Sequence, residues 1–277
     1  MSVGFHRVTD AYRRHGPVDL ARVGITAARY RVEDEFWSTR GARSVTIGDV
    51  SASFTTSTVG ESRMVRNLPS MESEMLGDLL SELRAEDVYY DVGGHMGLFA
   101  CLAAERTTDG TVATFEPFPP MRKLLRENVR RNDADVTVFD VALSNETGQA
   151  TLDNPFKQQA DWSGTASLDP NSEDGITVET VVGDDLVAQT EVAAPTVVKI
   201  DVEGAEPLVI EGLRETLARE ECRLVYCEVH EPTETRRSTV DYGTDPDEVL
   251  TMLDDLGFDV EILTDRGNDR HVKAVRR

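Results

Sequence analysis

From residue 87 onward the sequence alternates short β-branched, apolar runs with longer stretches of helical periodicity, and that alternation leaves few folds open. VYYDV (88–92), TVATFE (111–116), VTVFDVAL (136–143), TVVKIDV (196–202) and RLVYCEVH (223–230) have the composition of strands. Between them GLFACLAAER (97–106) predicts a buried helix. Pro119 and Pro120 open another, whose inner face is Met121, Leu124, Leu125 and Val129. Pro207 opens a helix through Leu208, Leu213 and Leu217, and Asp245-Pro246-Asp247-Glu248 is a cap, a first-turn proline and two first-turn acids, with Gly257 as the stop. Strands spaced by such helices form parallel βαβ units. TVVKIDV is nearly continuous in apolar character, as a central strand buried on both faces is. The last two runs, FDVEIL and HVKAV, are joined only by DRGND. A turn that short forces them antiparallel, because a parallel return needs a crossover. The expected fold class is α/β: a Rossmann-like seven-stranded, mostly parallel sheet with the last strand antiparallel and helices on both faces.

Two regions stand outside this rhythm. Residues 1–68 are expected to form an N-terminal extension that could cover an acceptor site. It holds a helix in the run from Asp19 and a strand or hairpin from Ser44, ahead of a main domain over 69–277. Ser70 is the expected cap of a helix over 70–84, with Met71, Met75, Leu79 and Leu83 recurring every four residues. Residues 144–180 are polar and rich in Gly and Pro. They hold Phe156 and Trp162, and QATLD and ITVET at their flanks read as short strands. A hairpin insertion with a long loop is expected there, either as plain surface or as a lid over substrate.

Composition narrows the function. There are 51 acidic and 29 basic residues in 277, a formal charge of −22, and only four bases are Lys. A field of that sign repels nucleic acid and anionic membrane surfaces. Because the acids are spread along the chain, the expected surface is that of a salt-adapted, halophilic protein, whose repulsion is screened by abundant cations. No apolar run approaches the roughly 18 residues of a membrane span, and MSVGFHRVTDAYRRHG lacks the apolar core of a signal peptide. The expectation is a soluble, cytoplasmic protein with no membrane insertion. Cys101, Cys222 and Cys227 are odd in number and contain no CxxC, so neither a disulfide framework nor a zinc knuckle is expected.

The chemistry concentrates at strand ends. In DVGGHMG (91–97) Gly93, Gly94 and Gly97 form a turn between strand and helix, but His95 breaks the G-x-G-x-x-G spacing of a pyrophosphate site. Asp91 just ahead of the turn repels phosphate and attracts a cation. S-Adenosylmethionine carries an ammonium and a sulfonium and no phosphate, so the charge pattern prefers it to NAD. Glu116, ending the next strand, is placed to accept both ribose hydroxyls. Asp140, ending the third, could accept from the adenine amino group, with Val141 beside the ring. A second group, KIDVEGAE (199–206), puts Asp201, Glu203 and Glu206 at the end of the central strand, and Glu228, His230 and Glu231 reach the same edge. Carboxylates gathered so closely need cations, protons or substrate groups to offset their repulsion.

DVGGHMG, FEP, KIDVEGAE and CEVH together resemble the FkbM family of S-adenosylmethionine-dependent methyltransferases, over roughly residues 70–275. The resemblance implies a class I methyltransferase fold and methyl transfer from S-adenosylmethionine, usually to a hydroxyl oxygen. It also implies a methionine-end turn of Asp91, Gly93 and Gly97, Glu116 on the ribose, Asp140 with Val141 at the adenine, and Asp201 and Glu203 near the transfer point; Gly94, His95 and Asp201 are taken as further cofactor-binding residues. His95 departs from the Asn or Ala that the family commonly shows there. Transfer to a hydroxyl needs help with the proton, and Asp201, Glu203 and His230 are the candidate bases, His230 having the best-matched unperturbed pKa. A divalent cation on two of the carboxylates is a possible alternative that is not favoured, so no metal ligand is assigned. The acceptor would be a small molecule, a glycan or a lipid-like hydroxyl, and no nucleic acid. An NAD-linked oxidoreductase and a non-catalytic nucleoside-binding protein are the competing functions.

Overall fold

The computed structural model describes residues 26–153, 166–169, 172, 174–189, 192–234 and 236–277. The helix expected from Asp19 is seen as residues 26–40, its earlier part lying outside the described residues, as do Phe156 and Trp162. Its main body is a seven-stranded sheet in the order β11-β12-β10-β9-β3-β4-β5. The strands are β3 (Val88–Val92), β4 (Thr111–Phe115), β5 (Val136–Phe139), β9 (Val197–Ile200), β10 (Leu224–His230), β11 (Phe258–Asp265) and β12 (Asp269–Arg276). β5, β4, β3, β9 and β10 run parallel in that order. β12, the last in sequence, enters between β10 and β11 and is antiparallel to both.

Period-two alternation divides the sheet between two cores. Tyr89, Val197, Leu224 and Tyr226 face one, together with Phe54, Leu79 and Phe99. Tyr90, Val92, Val198, Ile200, Val225 and Cys227 face the other, together with Val209 and Leu253. Helices Ser73–Glu82, Leu98–Ala104 and Pro119–Arg131 therefore cover the first face, and Glu206–Gly212 and Pro246–Asp255 the second. The three cysteines are free and buried. The Asp245 cap forms as the sequence predicts. Its side chain accepts from Asp247 N at 3.0 Å, and Glu248 Oε2 accepts from Asp245 N at 3.0 Å. Among the described residues no helix is long and apolar enough to cross a membrane.

Two local expectations change. VTVFDVAL is not one strand: β5 ends at Phe139, and Val141–Ser144 (β6) joins a separate three-stranded sheet in the order β6-β8-β7. β7 (Gly148–Leu152) and β8 (Ile176–Val182) are the expected antiparallel hairpin, and β6 adds to it in parallel. Ser70 is not a cap. A helix over Val59–Met71 already contains it, started by a capping box in which Thr58 and Glu61 satisfy each other's backbone N–H. The break falls at Glu72, which ends that helix and precedes Ser73–Glu82, leaving Met71 exposed. Before it, β1 (Gly41–Ile47) and β2 (Val50–Thr56) form the hairpin read at Ser44, and Phe54 carries it into the first core.

Candidate active site

Because β3, β4, β9 and β10 are parallel, their carboxyl ends meet at one edge, and a cavity of about 620 Å³ opens there. Gly93, Gly94, His95, Glu116, Asp201 and Glu203 all line it. The glycine turn leaves β3 with Gly93 at φ 85°, His95 at φ 47° and Gly97 at φ 85°. Gly97 is the N-cap of Leu98–Ala104 and is not among the lining residues. Both Gly93 N and Gly94 N donate to Phe115 O at 3.0 Å, and His95 N donates to Glu116 Oε2 at 2.7 Å. Three successive N–H groups that would otherwise cradle a phosphate are thus already used. The turn is packed as well as saturated. A Cβ on Gly93 would lie 1.8 Å from Asp201 O, and one on Gly94 2.0 Å from Thr114 Oγ1. Gly93→Ala is therefore expected to lower stability by about 2–4 kcal/mol, from overpacking added to a left-handed backbone, in a denaturant titration. An unchanged midpoint would contradict this packing.

Glu116 is buried, and each of its oxygens already takes one backbone N–H: Oε2 from His95 and Oε1 from Phe118 N at 2.8 Å. Burial pushes its pKa up to about 7, against the pull of those two donors. One acceptor position per oxygen remains for the cavity, the number a ribose diol needs. His95 lies in the same wall with its imidazole pushed down to about 4 by burial, so it is neutral at physiological pH.

Other expected contacts lie elsewhere. Asp140 marks the point where the chain leaves the main sheet. It is half-exposed, pairs with Arg126 and lies 3.3 Å from Arg122 Nε, outside the cavity lining. Val141 also lies outside the lining, whereas Ala142 and Leu143 are in it. Asp91 is fully buried and sits beneath the turn. Lys199 Nζ lies 3.4 Å from Asp91 Oδ1 and 3.1 Å from Asp201 Oδ2, donates to Gly93 O at 3.2 Å, and stands 4.7 Å over the Phe99 ring. Burial disfavours its charge, but Asp201 and Asp91 more than offset that and hold its pKa above the ordinary value. Burial likewise raises Asp91 despite Lys199, whereas Asp201 is held below the usual carboxylate range, burial opposing and Lys199 prevailing.

The second cluster has a buried organiser. Glu206 Oε1 accepts from Gly204 N at 2.9 Å and Val202 N at 3.3 Å and faces His230 Nδ1 at 2.9 Å. Those bonds fix the turn in which Glu203 (φ 56°) and Gly204 (φ 99°) are left-handed. His230 is fully buried and does not line the cavity. Its Nε2 lies 3.5 Å from Glu203 Oε2 and 3.8 Å from Glu228 Oε1. Burial works against the charged ring, yet Glu206, Glu203 and Glu228 outweigh it and push the pKa up to about 10. The unperturbed pKa that recommended His230 as a base does not survive these neighbours: at neutral pH the ring is a cation.

Sequence reasoning named Lys199 only as the start of a motif and missed Glu72, Arg236 and Arg266 in the wall altogether. Arg266 NH2 lies 2.7 Å from Glu228 Oε1, and Arg266 also pairs with Asp269. Arg236 lies 3.0 Å from Asp269 Oδ2 and 3.7 Å from Glu203 Oε2. A lysine inside the apolar run VVKI was a legible clue, since a buried ammonium demands carboxylates. The arginines come from irregular segments and gave none.

A seven-stranded sheet with its one antiparallel strand last in sequence, a saturated glycine turn and a carboxylate ending the next strand define a class I methyltransferase. A profile of the Methyltransferase FkbM domain matches residues 91–260, and the chain belongs to this family. It is 33% identical over 227 residues to the hexuronic acid methyltransferase AglP of Haloferax volcanii, covering 81% of this chain and 86% of that protein. It is 30% identical over 226 residues to the 31-O-demethyl-FK506 methyltransferase FkbM of Streptomyces tacrolimicus, covering 71% and 83%. A crystal structure of a methyltransferase FkbM from Methylobacillus flagellatus KT superposes with a TM-score of 0.47 at 16% identity, covering 72% of this chain and 46% of that one. The cofactor is S-adenosylmethionine, and the cavity suits it: carboxylates face the space, and the turn keeps no N–H at 93–95 free for a phosphate.

Proposed function

We propose that this chain methylates a hydroxyl oxygen of a uronic-acid-type sugar. The observation that carries the reading is the single cavity joining Glu116 and the glycine turn to Asp201, Glu203, Arg236 and Arg266. A nucleoside carboxylate at one end and fixed charges at the other suit a nucleoside donor and a polar acceptor. The hexuronic acid methyltransferase at 33% identity supports the sugar class. Bound S-adenosylmethionine supplies an activated methyl group on a sulfonium. In our reading Glu116 accepts from the ribose hydroxyls, Gly93 to His95 line the methionine end by backbone, and Ala142 and Leu143 take the adenine side, with Asp140 and Val141 shaping the chain behind them. Asp91 and Lys199 act from below, Lys199 keeping Asp201 ionised.

Asp201 is our candidate proton acceptor, with Glu203 beside it. A carboxylate below its ordinary pKa is a weak base, but the demand is small. As oxygen bonds to carbon its proton becomes far more acidic than any carboxylic acid, so a late transfer to Asp201 is downhill. His230 is assigned a positioning role, a buried cation that holds Glu203 and Glu206.

The test has two readouts. Calorimetric titration with S-adenosylhomocysteine is expected to show affinity falling about tenfold per pH unit as pH drops below 7, where Glu116 takes up the proton its ligands must displace. Labelled methyl transfer to a glucuronic acid glycoside should exceed transfer to the matching glucoside and give a base-stable ether. Failure to bind the nucleoside would overturn the methyltransferase site. A base-labile ester would move the acceptor to the sugar carboxylate, leaving Asp201 no proton to take.

A further inference from the structure

A second group of donors adjoins the Asp201 cluster at the cavity wall, with Glu228 facing both. Glu228 on β10 and His271 on β12 are directly paired across the antiparallel ladder, and Glu72 reaches them from the break between two helices. Glu228 and Glu72 line the cavity. His271 is 1% exposed, and neither of its ring nitrogens has a hydrogen-bond partner. Its Nε2 points between the two carboxylates, 3.5 Å from Glu72 Oε2 and 3.5 Å from Glu228 Oε2, and Glu72 Oε2 has no partner either.

A proton on Nε2 would pull one carboxylate to hydrogen-bond distance, about 2.8 Å. The equal spacing fits a different occupant. In a tetrahedral site with metal–ligand bonds of about 2.1 Å, the ligand atoms lie about 3.4 Å apart. The three atoms here lie within 4.8 Å of one another. The remaining oxygens are steadied by one guanidinium: Arg266 NH2 lies 2.7 Å from Glu228 Oε1, and Arg266 NH1 3.7 Å from Glu72 Oε1. Outer partners of this kind orient metal ligands. A divalent ion would also remove the repulsion between two buried carboxylates.

We propose that Glu72, Glu228 and His271 bind a divalent first-row metal ion of the Zn²⁺ type, with its fourth position open to the cavity. β10 lies two strands, about 10 Å, from the β3 turn, so the open position faces the acceptor end. There it would hold an acceptor oxygen as a Lewis acid. That role rests on the methyl-transfer reading; the metal site does not.

The test is Zn²⁺ titration of the full chain after EDTA treatment and dialysis, by calorimetry and elemental analysis. A single tightly held Zn²⁺ per chain is expected, weakened about 100-fold or more by His271→Ala and by Glu72→Gln. Should His271→Ala fail to fold, Glu72→Gln decides, since Glu72 lies at a helix break on the cavity side. Absence of tight binding overturns the proposal. So does binding that both variants leave intact, which would place the ion elsewhere. Calorimetry reads the ion whether or not any methyl acceptor is found, so the two proposals fail separately.

Discussion

Asp201→Asn is expected to lower kcat about 10²- to 10⁴-fold while changing the S-adenosylhomocysteine Kd only a few-fold. That range is the ordinary contribution of a positioned proton acceptor. Asparagine keeps the size of the side chain and one oxygen that can face Lys199, so the fold and the nucleoside end should survive. What it cannot do is take a proton. The side chain is 23% exposed at the cavity and its carboxylate is ionised by Lys199 at 3.1 Å, so the wild-type group is already in the reactive form. Turnover of labelled methyl at saturating donor reads the effect. The expected pH profile stays flat from pH 6 to 9, since the Asp201 titration lies lower. A kcat within threefold of wild type would remove Asp201 from proton transfer and leave Glu203 as the candidate.

Lys199→Met should destabilise the chain by about 3–5 kcal/mol, because a buried carboxylate loses its cation while the apolar stem of the side chain is kept. Asp91 decides the size. It is 0% exposed, and burial already lifts its pKa against the opposition of Lys199. Without the ammonium it would be lifted further, and it would fold as the neutral acid. A carboxyl with a folded pKa above its unfolded value binds protons more readily when folded, so stability falls as pH rises through that interval. The deficit should therefore be larger at pH 8 than at pH 5, as read from urea midpoints at the two pH values. An equal deficit at both pH values would show that packing over Phe99, and not charge, is what Lys199 supplies. The nucleoside site should weaken too, since Lys199 also holds Gly93 O at 3.2 Å.

The legible part of this protein is its local part. Strand composition and helix caps act over a few residues, and Asp245, Gly257 and the β11–β12 turn appear where the sequence puts them. The helix over Val59–Met71 was missed although Thr58 and Glu61 have capping-box spacing; Ser70, a good cap residue, drew attention to the wrong start. The strand end at Asp140 was legible, but not that Val141–Ser144 join another sheet, because nothing in VTVFDVAL marks a change of sheet partner. β5 and β6 are strands of equal quality that happen to pair with different neighbours. The strand-end acids Glu116, Asp201 and Glu203 do share one cavity, since parallel strands bring their ends together by topology alone. What could not be read is long-range convergence. Glu72 and His271 meet only through the pairing register of β10 with β12 and the packing of a helix break above them. The sequence placed Glu203, Glu206, Glu228 and His230 at one edge, but the titration of His230 depends on distances among them that no spacing fixes.

The placement of β12 has a consequence for how the chain is made. Asp269–Arg276 follow β11 in sequence yet lie between β10 and β11, and Asp269 lines the cavity while His271 faces Glu72. While translation is still short of Asp269, the growing polypeptide already holds the glycine turn, Glu116 and Asp201 but exposes unpaired edges on both β10 and β11. Such edges invite association between nascent chains. This edge of the sheet is thus completed only once Asp269–Arg276 have been made. A product ended by a premature stop before Asp269 should retain the Glu116 region in sequence while accumulating in the insoluble fraction.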